Sequence, residues 1–121
     1  MPKIQTVCIV DDAKGMRALG KKVLADTQIE VFTAVDGFDA MLVIREKKPD
    51  AVFIDRDMPV LDGLKLISLL RGWNEWGNKP IAMLTSAGSV FDKQVGLLMG
   101  ANLYLTKPFT KDTLQKAITA M

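Results

Sequence analysis

At 121 residues, 49% apolar and 25% charged, the chain fits a single domain, 1–121, large enough to bury a core without a disulfide or structural metal. A net charge of +2 from scattered lysines and arginines offers no basic stripe for nucleic acid, and no apolar run approaches the roughly 20 residues that cross a bilayer. The complete absence of histidine excludes histidine acid–base chemistry, Ser/His and Cys/His nucleophiles and most zinc sites, so carboxylates must carry any chemistry.

The start, Met1-Pro2-Lys3-Ile4, lacks the long apolar segment of a secretion signal, and the single cysteine, Cys8, falls inside an apolar run as a buried small hydrophobe. Both features predict a cytoplasmic location. Ile4 to Val10 reads as a strand, followed by a helix with Met16, Leu19, Val23 and Leu24 on one face. Gly15 and Gly20 weaken that helix, and close packing or a hinge would explain them. Ile29 to Ala34 is the second strand. The next helix shows Ala40, Met41, Val43 and Ile44 on one face and stops at Pro49. Ala51 to Ile54 is the third strand, before a helix with Leu64, Ile67 and Leu70 inward. Trp73 and Trp76, ahead of the fourth strand, either cover the flank of a sheet or form a partner patch.

Ile81 to Leu84 is the fourth strand. Its helix, with a cap at Ser89, carries Phe91, Val95, Leu98 and Met99 and ends at Gly100, which suits a left-handed cap. Leu103 to Leu105 is the fifth strand. Thr110 caps a last helix with Leu114, Ala117, Ile118 and Met121 on one face, and Phe109 packs on Leu114 as a hydrophobic staple. Five βα units in strict alternation predict an α/β fold, a doubly wound parallel sheet of five strands with five helices on its two faces.

Polar residues stand where the apolar runs end: Asp11 and Asp12, Asp55 with Asp57 close by, Thr85 with Ser86, and Lys107 before Pro108. In parallel strands these positions share the carboxyl edge of the sheet, where open α/β folds bind ligands. Three or four carboxylates crowded at one rim raise one another's pKa or recruit a cation, and hard oxygens without histidine or thiolate favour Mg²⁺ over zinc. Read singly, Asp11 and Asp12 also suit the start of a helix, Thr85 a turn and Lys107 a solvated loop. Pro108 directs the backbone before it toward an extended form, aiming the Lys107 amine across the acids. Taken together, an ionised carboxylate nucleophile, metal-binding acids, a hydroxyl donor and a cation are the parts of a phosphoryl-transfer site that needs no general base.

Over essentially its whole length the chain resembles the receiver domain of two-component response regulators, most closely the stand-alone chemotaxis type. The resemblance lies in Val10-Asp11-Asp12, Ile54-Asp55-Arg56-Asp57-Met58-Pro59 with Asp62-Gly63, Leu84-Thr85-Ser86, and Tyr104 through Lys107-Pro108-Phe109. It implies the flavodoxin-like receiver fold with strand order 2-1-3-4-5, an order taken from the family and not from spacing. It implies Asp55 as phosphoacceptor, receiving the group from a histidine kinase or a histidine phosphotransfer protein. Asp12 and Asp55 would bind Mg²⁺, or Mn²⁺ in its place, with Asp11 acting through water and Asp57 through its backbone carbonyl. Thr85, Ser86 and Lys107 would engage the phosphoryl oxygens, Thr85 and Tyr104 would act as the switch, and Pro59, Gly63 and Pro108 would shape the supporting turns. An unidentified downstream protein would bind the face of the fourth helix, fifth strand and fifth helix, with neither nucleic acid nor membrane insertion involved. The family also sets phosphoryl lifetime through the positions matched by Asp57 and Ala87.

Two rival readings remain at this level. Asp55-x-Asp57 after an apolar strand resembles the nucleophile motif of haloacid-dehalogenase-type phosphatases, although there the nucleophile strand comes first, whereas here Asp11-Asp12 precedes it. The other rival is a receiver-like interaction module that never carries phosphate. The expectation is a phosphoacceptor signalling protein and not an enzyme of many turnovers, with no effector domain after Met121 unless the chain is a fragment of a longer regulator.

Overall fold

The computed structural model describes residues 4–86 and 90–121, in which five βα units follow one another as read from the sequence. The strands are β1 (Thr6–Val10), β2 (Glu30–Ala34), β3 (Ala51–Asp55), β4 (Ile81–Thr85) and β5 (Leu103–Thr106), and the helices are α1 (Lys14–Val23), α2 (Gly37–Lys47), α3 (Gly63–Arg71), α4 (Val90–Met99) and α5 (Lys111–Ala120). All strand pairs are parallel, in the order β2-β1-β3-β4-β5. Ile4 and Gln5 stay outside β1, where the Asp50 carboxylate accepts hydrogen bonds from the N–H groups of Gln5 and Thr6. At the other end, β3, β4 and β5 each run one residue further than the apolar pattern and end on Asp55, Thr85 and Thr106. The Ser89 cap, Ala87 and the Phe91 side chain lie outside the described residues.

Alternation along the strands divides the core in two. Cys8, Val10, Val52, Ile54, Ile81 and Met83 point to one face, where they pack with α2, α3 and the buried Trp76. Val7, Ile9, Ala51, Phe53, Ala82 and Leu84 point to the other, covered by α1 and α5 through Leu24, Leu114, Ala117 and Ile118. Burial pushes the Cys8 thiol up to about 12, with a smaller contribution from Asp39, so it is an inert core residue.

Helix boundaries follow local chemistry. Asp36 caps α2 by accepting from the Asp39 N–H, Asp62 caps α3 through Lys65, and Thr110 forms a reciprocal capping box with Thr113. Phe109 and Leu114 are both buried beside that cap. Gly100 ends α4 at φ 120°, a conformation that a side chain would strain. Trp73 packs at the edge of the first core and Trp76 is enclosed in it, within a short 3₁₀ turn, Asn74–Trp76, that the sequence pattern did not signal. The Arg71 guanidinium holds that turn by donating to the carbonyls of Trp76, Lys79 and Gly100 and to Asn102 Oδ1, at 2.6–2.9 Å.

The two α1 glycines have different reasons. A Cβ on Gly20 would come within 2.2 Å of Ile9 Cδ1, whereas one on Gly15 would meet nothing within 4 Å. Close packing therefore explains Gly20 only. Gly15→Ala is expected to raise the unfolding free energy by about 0.5–1 kcal/mol, and Gly20→Ala to lower it by about 1–3 kcal/mol despite alanine's better helix propensity. Urea denaturation of the two variants checks the contrast.

Candidate functional site

The sheet register brings the site together. Val10 pairs with Ile54, Asp55 with Leu84 and Thr85 with Thr106, so Asp11 falls level with Asp55, Thr85 one step further out and Lys107 one step beyond that, in a short stair across four neighbouring strands. The ladder also runs one step past the strands: Asp11 N–H donates to the Ala34 carbonyl at 3.1 Å, Arg56 N–H to Leu84 at 2.8 Å and Lys107 N–H to Thr85 at 2.8 Å. The functional residues are thus fixed by backbone bonds at the carboxyl edge and not left on free loops.

Asp11 and Asp55 are buried, at 0% and 1% exposure, and the Lys107 ammonium lies between them. Its Nζ donates to Asp55 Oδ1 at 3.0 Å and to Asp11 Oδ2 at 3.3 Å. Asp57 N–H also donates to Asp55 Oδ1, at 3.2 Å, so among the described residues no hydrogen bond falls on Asp55 Oδ2. Asp11 Oδ1 accepts from Ala13 N–H, and its carbonyl accepts from the Arg17 guanidinium at 2.7 Å. The N-cap of α1 is Ala13, so neither Asp11 nor Asp12 caps that helix. Arg17 is a supporting residue that the sequence reading missed, since a contact six residues along the chain follows no helical or strand period.

Asp12 is exposed, and one carboxylate oxygen from each of Asp11, Asp12 and Asp55 lies within 4.8 Å of the other two. Three hard oxygen donors at that spacing, with no nitrogen or sulfur ligand, fit a divalent cation of the Mg²⁺ class.

The remaining predicted residues surround this centre. Thr85 is buried at the end of β4 and Ser86 is exposed just beyond it. Tyr104 pairs with Met83, two positions short of Thr85 and one strand away, and is half-buried with Lys93 Nζ 4.4 Å from its ring centroid. The Asp57 side chain is exposed and paired with Arg56 at 2.9 Å, beside a cavity of about 360 Å³ lined by Arg56, Asp57, Met58, Pro59, Asp62 and Leu64. Gly63 lies so close to the acceptor strand that a Cβ would stand 2.2 Å from the Asp55 carbonyl oxygen. The Lys107–Pro108 peptide is cis.

Burial, followed by the nearby Asp11 charge, pushes Asp55 up to about 6, against the opposing pull of Lys107 and the Asp57 N–H. Burial alone would lower the Lys107 pKa, but the hydrogen bond it donates to Asp55 and the charges of Asp11 and Asp55 outweigh it, and the net shift is upward. The acidic crowding expected from the sequence is thus present, with one cation in its midst.

The chain matches the response regulator receiver domain family over residues 7–119. It is 39% identical to Protein PilG of Pseudomonas aeruginosa over 114 residues, which cover 94% of this chain and 84% of that one. It is 37% identical to the transcriptional regulatory protein PrrA of Mycobacterium tuberculosis over 115 residues, covering 95% of this chain but 48% of the relative, so it spans about half the length of that regulator. In three dimensions it resembles the chemotaxis response regulator CheY4 of Vibrio cholerae, with TM-score 0.91, 33% identity and 98% of each chain covered. The receiver domain of the Francisella response regulator 1452 superposes with TM-score 0.86 at 34% identity, over 96% of this chain and 94% of that one.

Between about pH 4 and pH 6 the folded protein holds a proton on Asp55 that the unfolded chain has lost, so Asp55 destabilises the fold progressively as pH rises through that window. In metal-free buffer at pH 7.5, Asp55→Asn is expected to raise the unfolding free energy by about 1–3 kcal/mol, an advantage that fades as pH falls from 6 toward 4. Urea titrations across that range check it, and a less stable variant at pH 7.5 would contradict the crowding.

Proposed function

This chain belongs to the response regulator receiver domain family of two-component signalling proteins, and from that premise we propose that Asp55 accepts a phosphoryl group from a histidine on a kinase or phosphotransfer protein. The observation that carries the reading is the half-buried Lys107 ammonium held between Asp55 and Asp11, with an Asp12 oxygen within 4.8 Å of both acids. An Asp55 carboxylate oxygen attacks phosphorus. The new O–P bond forms as the P–N bond breaks, and the electron pair leaves with the imidazole of the donor. Ionised at neutral pH, the carboxylate needs no base. With Oδ1 tied to Lys107 and the Asp57 N–H, Oδ2 is the oxygen free to attack.

Asp11, Asp12 and Asp55, with the Asp57 carbonyl, would hold Mg²⁺ or Mn²⁺. When bound, the ion offsets negative charge on the phosphoryl oxygens. Lys107 stabilises the same oxygens from the β5 side, and Thr85 and Ser86 offer hydroxyl donors at the end of β4. Engagement of Thr85 draws the end of β4 toward the phosphoryl group, Tyr104 turns inward, and the face formed by α4, β5 and α5 changes its partner. The charge added at Asp55 is a local event that biases this two-state element. A switch of this kind is a signalling protein that catalyses only its own phosphorylation and dephosphorylation, and a cytoplasmic kinase would be its source of phosphate.

With a small phosphodonor and Mg²⁺, the protein is expected to gain the mass of one phosphoryl group, preserved at acid pH. Asp55→Asn should gain none, chelation of Mg²⁺ should prevent the gain, and Asp12→Asn should require roughly tenfold or more Mg²⁺. Intact mass spectrometry checks all four. An unchanged mass would instead support a module that never carries phosphate, and steady hydrolysis over many turnovers would support a phosphatase.

A further inference from the structure

We propose that the outer face of α2 is a self-association surface, on which a second copy of this chain packs with its own α2 antiparallel about a two-fold axis. The inner side of α2 is accounted for: Ala40 and Ile44 are buried, and Met41 and Val43 pack on the core beside them. The outer side is apolar as well. Phe38 and Leu42, four residues apart and therefore stacked on one face, are 58% and 67% exposed. Val35 continues the stripe ahead of the helix. Leu61 packs on Gly37, so closely that a Cβ there would lie 2.5 Å from Leu61 Cδ2, and this brings the exposed Val60 to the start of α2. Apolar side chains clustered in this way mark interaction surfaces more often than solvated ones.

Charge selects the occupant. The amino end of α2 carries Asp36 and Asp39, while the carboxyl end carries Arg45, Lys47 and Lys48 with Glu46, so the two ends differ in sign. Arg45 lies on the same outward face, three residues after Leu42 and seven after Phe38. A two-fold axis near position 40 sets Phe38 of one copy against Leu42 of the other and Arg45 against Val35, next to Asp36. Among the described residues, Asp36, Asp39 and Arg45 have no intramolecular ion pair, although the two acids cap the helix backbone. The helix dipoles are opposed in the same arrangement, whereas a parallel pairing would set like ends together. A second copy thus supplies the complementary order of acid, apolar and base with no further component, as an isologous interface requires.

One helix face is a small contact, so the dimer is weak and reversible. In sedimentation velocity on the full chain from about 10 µM to about 1 mM, the weight-average coefficient should rise toward that of a dimer, less so at high salt. Leu42→Glu should raise the dimer dissociation constant roughly tenfold or more, and Arg45→Glu should also weaken it. Leu98→Glu, at an exposed apolar position on α4, should leave it unchanged. Unaltered circular dichroism and thermal melting of Leu42→Glu would assign the loss to the contact. A wild type that sediments as monomer throughout overturns the proposal, as does a dimer lost in Leu98→Glu and kept in Leu42→Glu.

Discussion

The site depends on one half-buried ammonium held between two buried carboxylates. Asp11, Asp12 and Asp55 bring three negative charges to the sheet edge and Lys107 returns one positive, leaving two negative charges in a space of a few ångströms. Without Lys107, Asp11 and Asp55 would face each other uncompensated at almost no exposure, a cost that a folded protein avoids by protonation or by moving apart. With it, the remaining charge equals that of one divalent cation of opposite sign. The upward shift of Asp55 comes first from its burial and then from the Asp11 charge: one lysine is enough to hold the acids together but not to offset what burial costs them. The same incomplete satisfaction supports the proposed use of the site, because a group that brings a metal and phosphoryl oxygens meets charges already fixed in place.

That arrangement is a property of the parallel sheet more than of any loop. β1 and β3 are central and buried on both faces, so their register is set by two cores at once, and a shift of one residue would turn Val7, Ile9 and Phe53 into the wrong layer. The acids at the strand ends inherit this precision. Thr85 and Lys107 are joined through the Lys107 N–H to the Thr85 carbonyl, so a displacement at the end of β4 acts directly on the start of the Lys107–Pro108 turn. Tyr104 sits on the same strand under the Lys93 ammonium, which ties β5 to α4. The proposed switch therefore has a short backbone route from Thr85 to the α4–β5 surface, without a chain of side chains between them.

The parts legible in the sequence were those governed by a local period or a local cap. Alternating apolar runs gave the five strands, and Pro49, Gly100 and Thr110 marked helix ends because each acts within a turn of its own position. Asp11, Asp55, Thr85 and Lys107 were legible because in a parallel sheet the end of a strand is a spatial address. What could not be read were contacts between positions related only by the fold. Gly15 and Gly20 look alike in the chain, and only the packing of Ile9 against one of them separates the two. The Arg17 bond to the Asp11 carbonyl and the Arg71 clamp on the carbonyls of Trp76, Lys79 and Gly100 have no periodic signature, since a guanidinium reaches any carbonyl that tertiary packing brings near it.

The two surfaces proposed for partners lie at opposite ends of the helical layer that covers the first core. α2 stands over β1 and β2, whereas α4 stands beside β5 at the other edge, with α3 between them. A copy bound to Phe38 and Leu42 would leave Tyr104 and Lys93 uncovered, so self-association through α2 and output through the α4–β5–α5 face do not compete for area. The segment nearest to both the acceptor and α2 is Val60-Leu61, which begins five residues after Asp55 and packs through Leu61 on Gly37, the first residue of α2. The α4 face is reached instead through Thr85. One buried acid thus borders both routes, and the sheet keeps them apart.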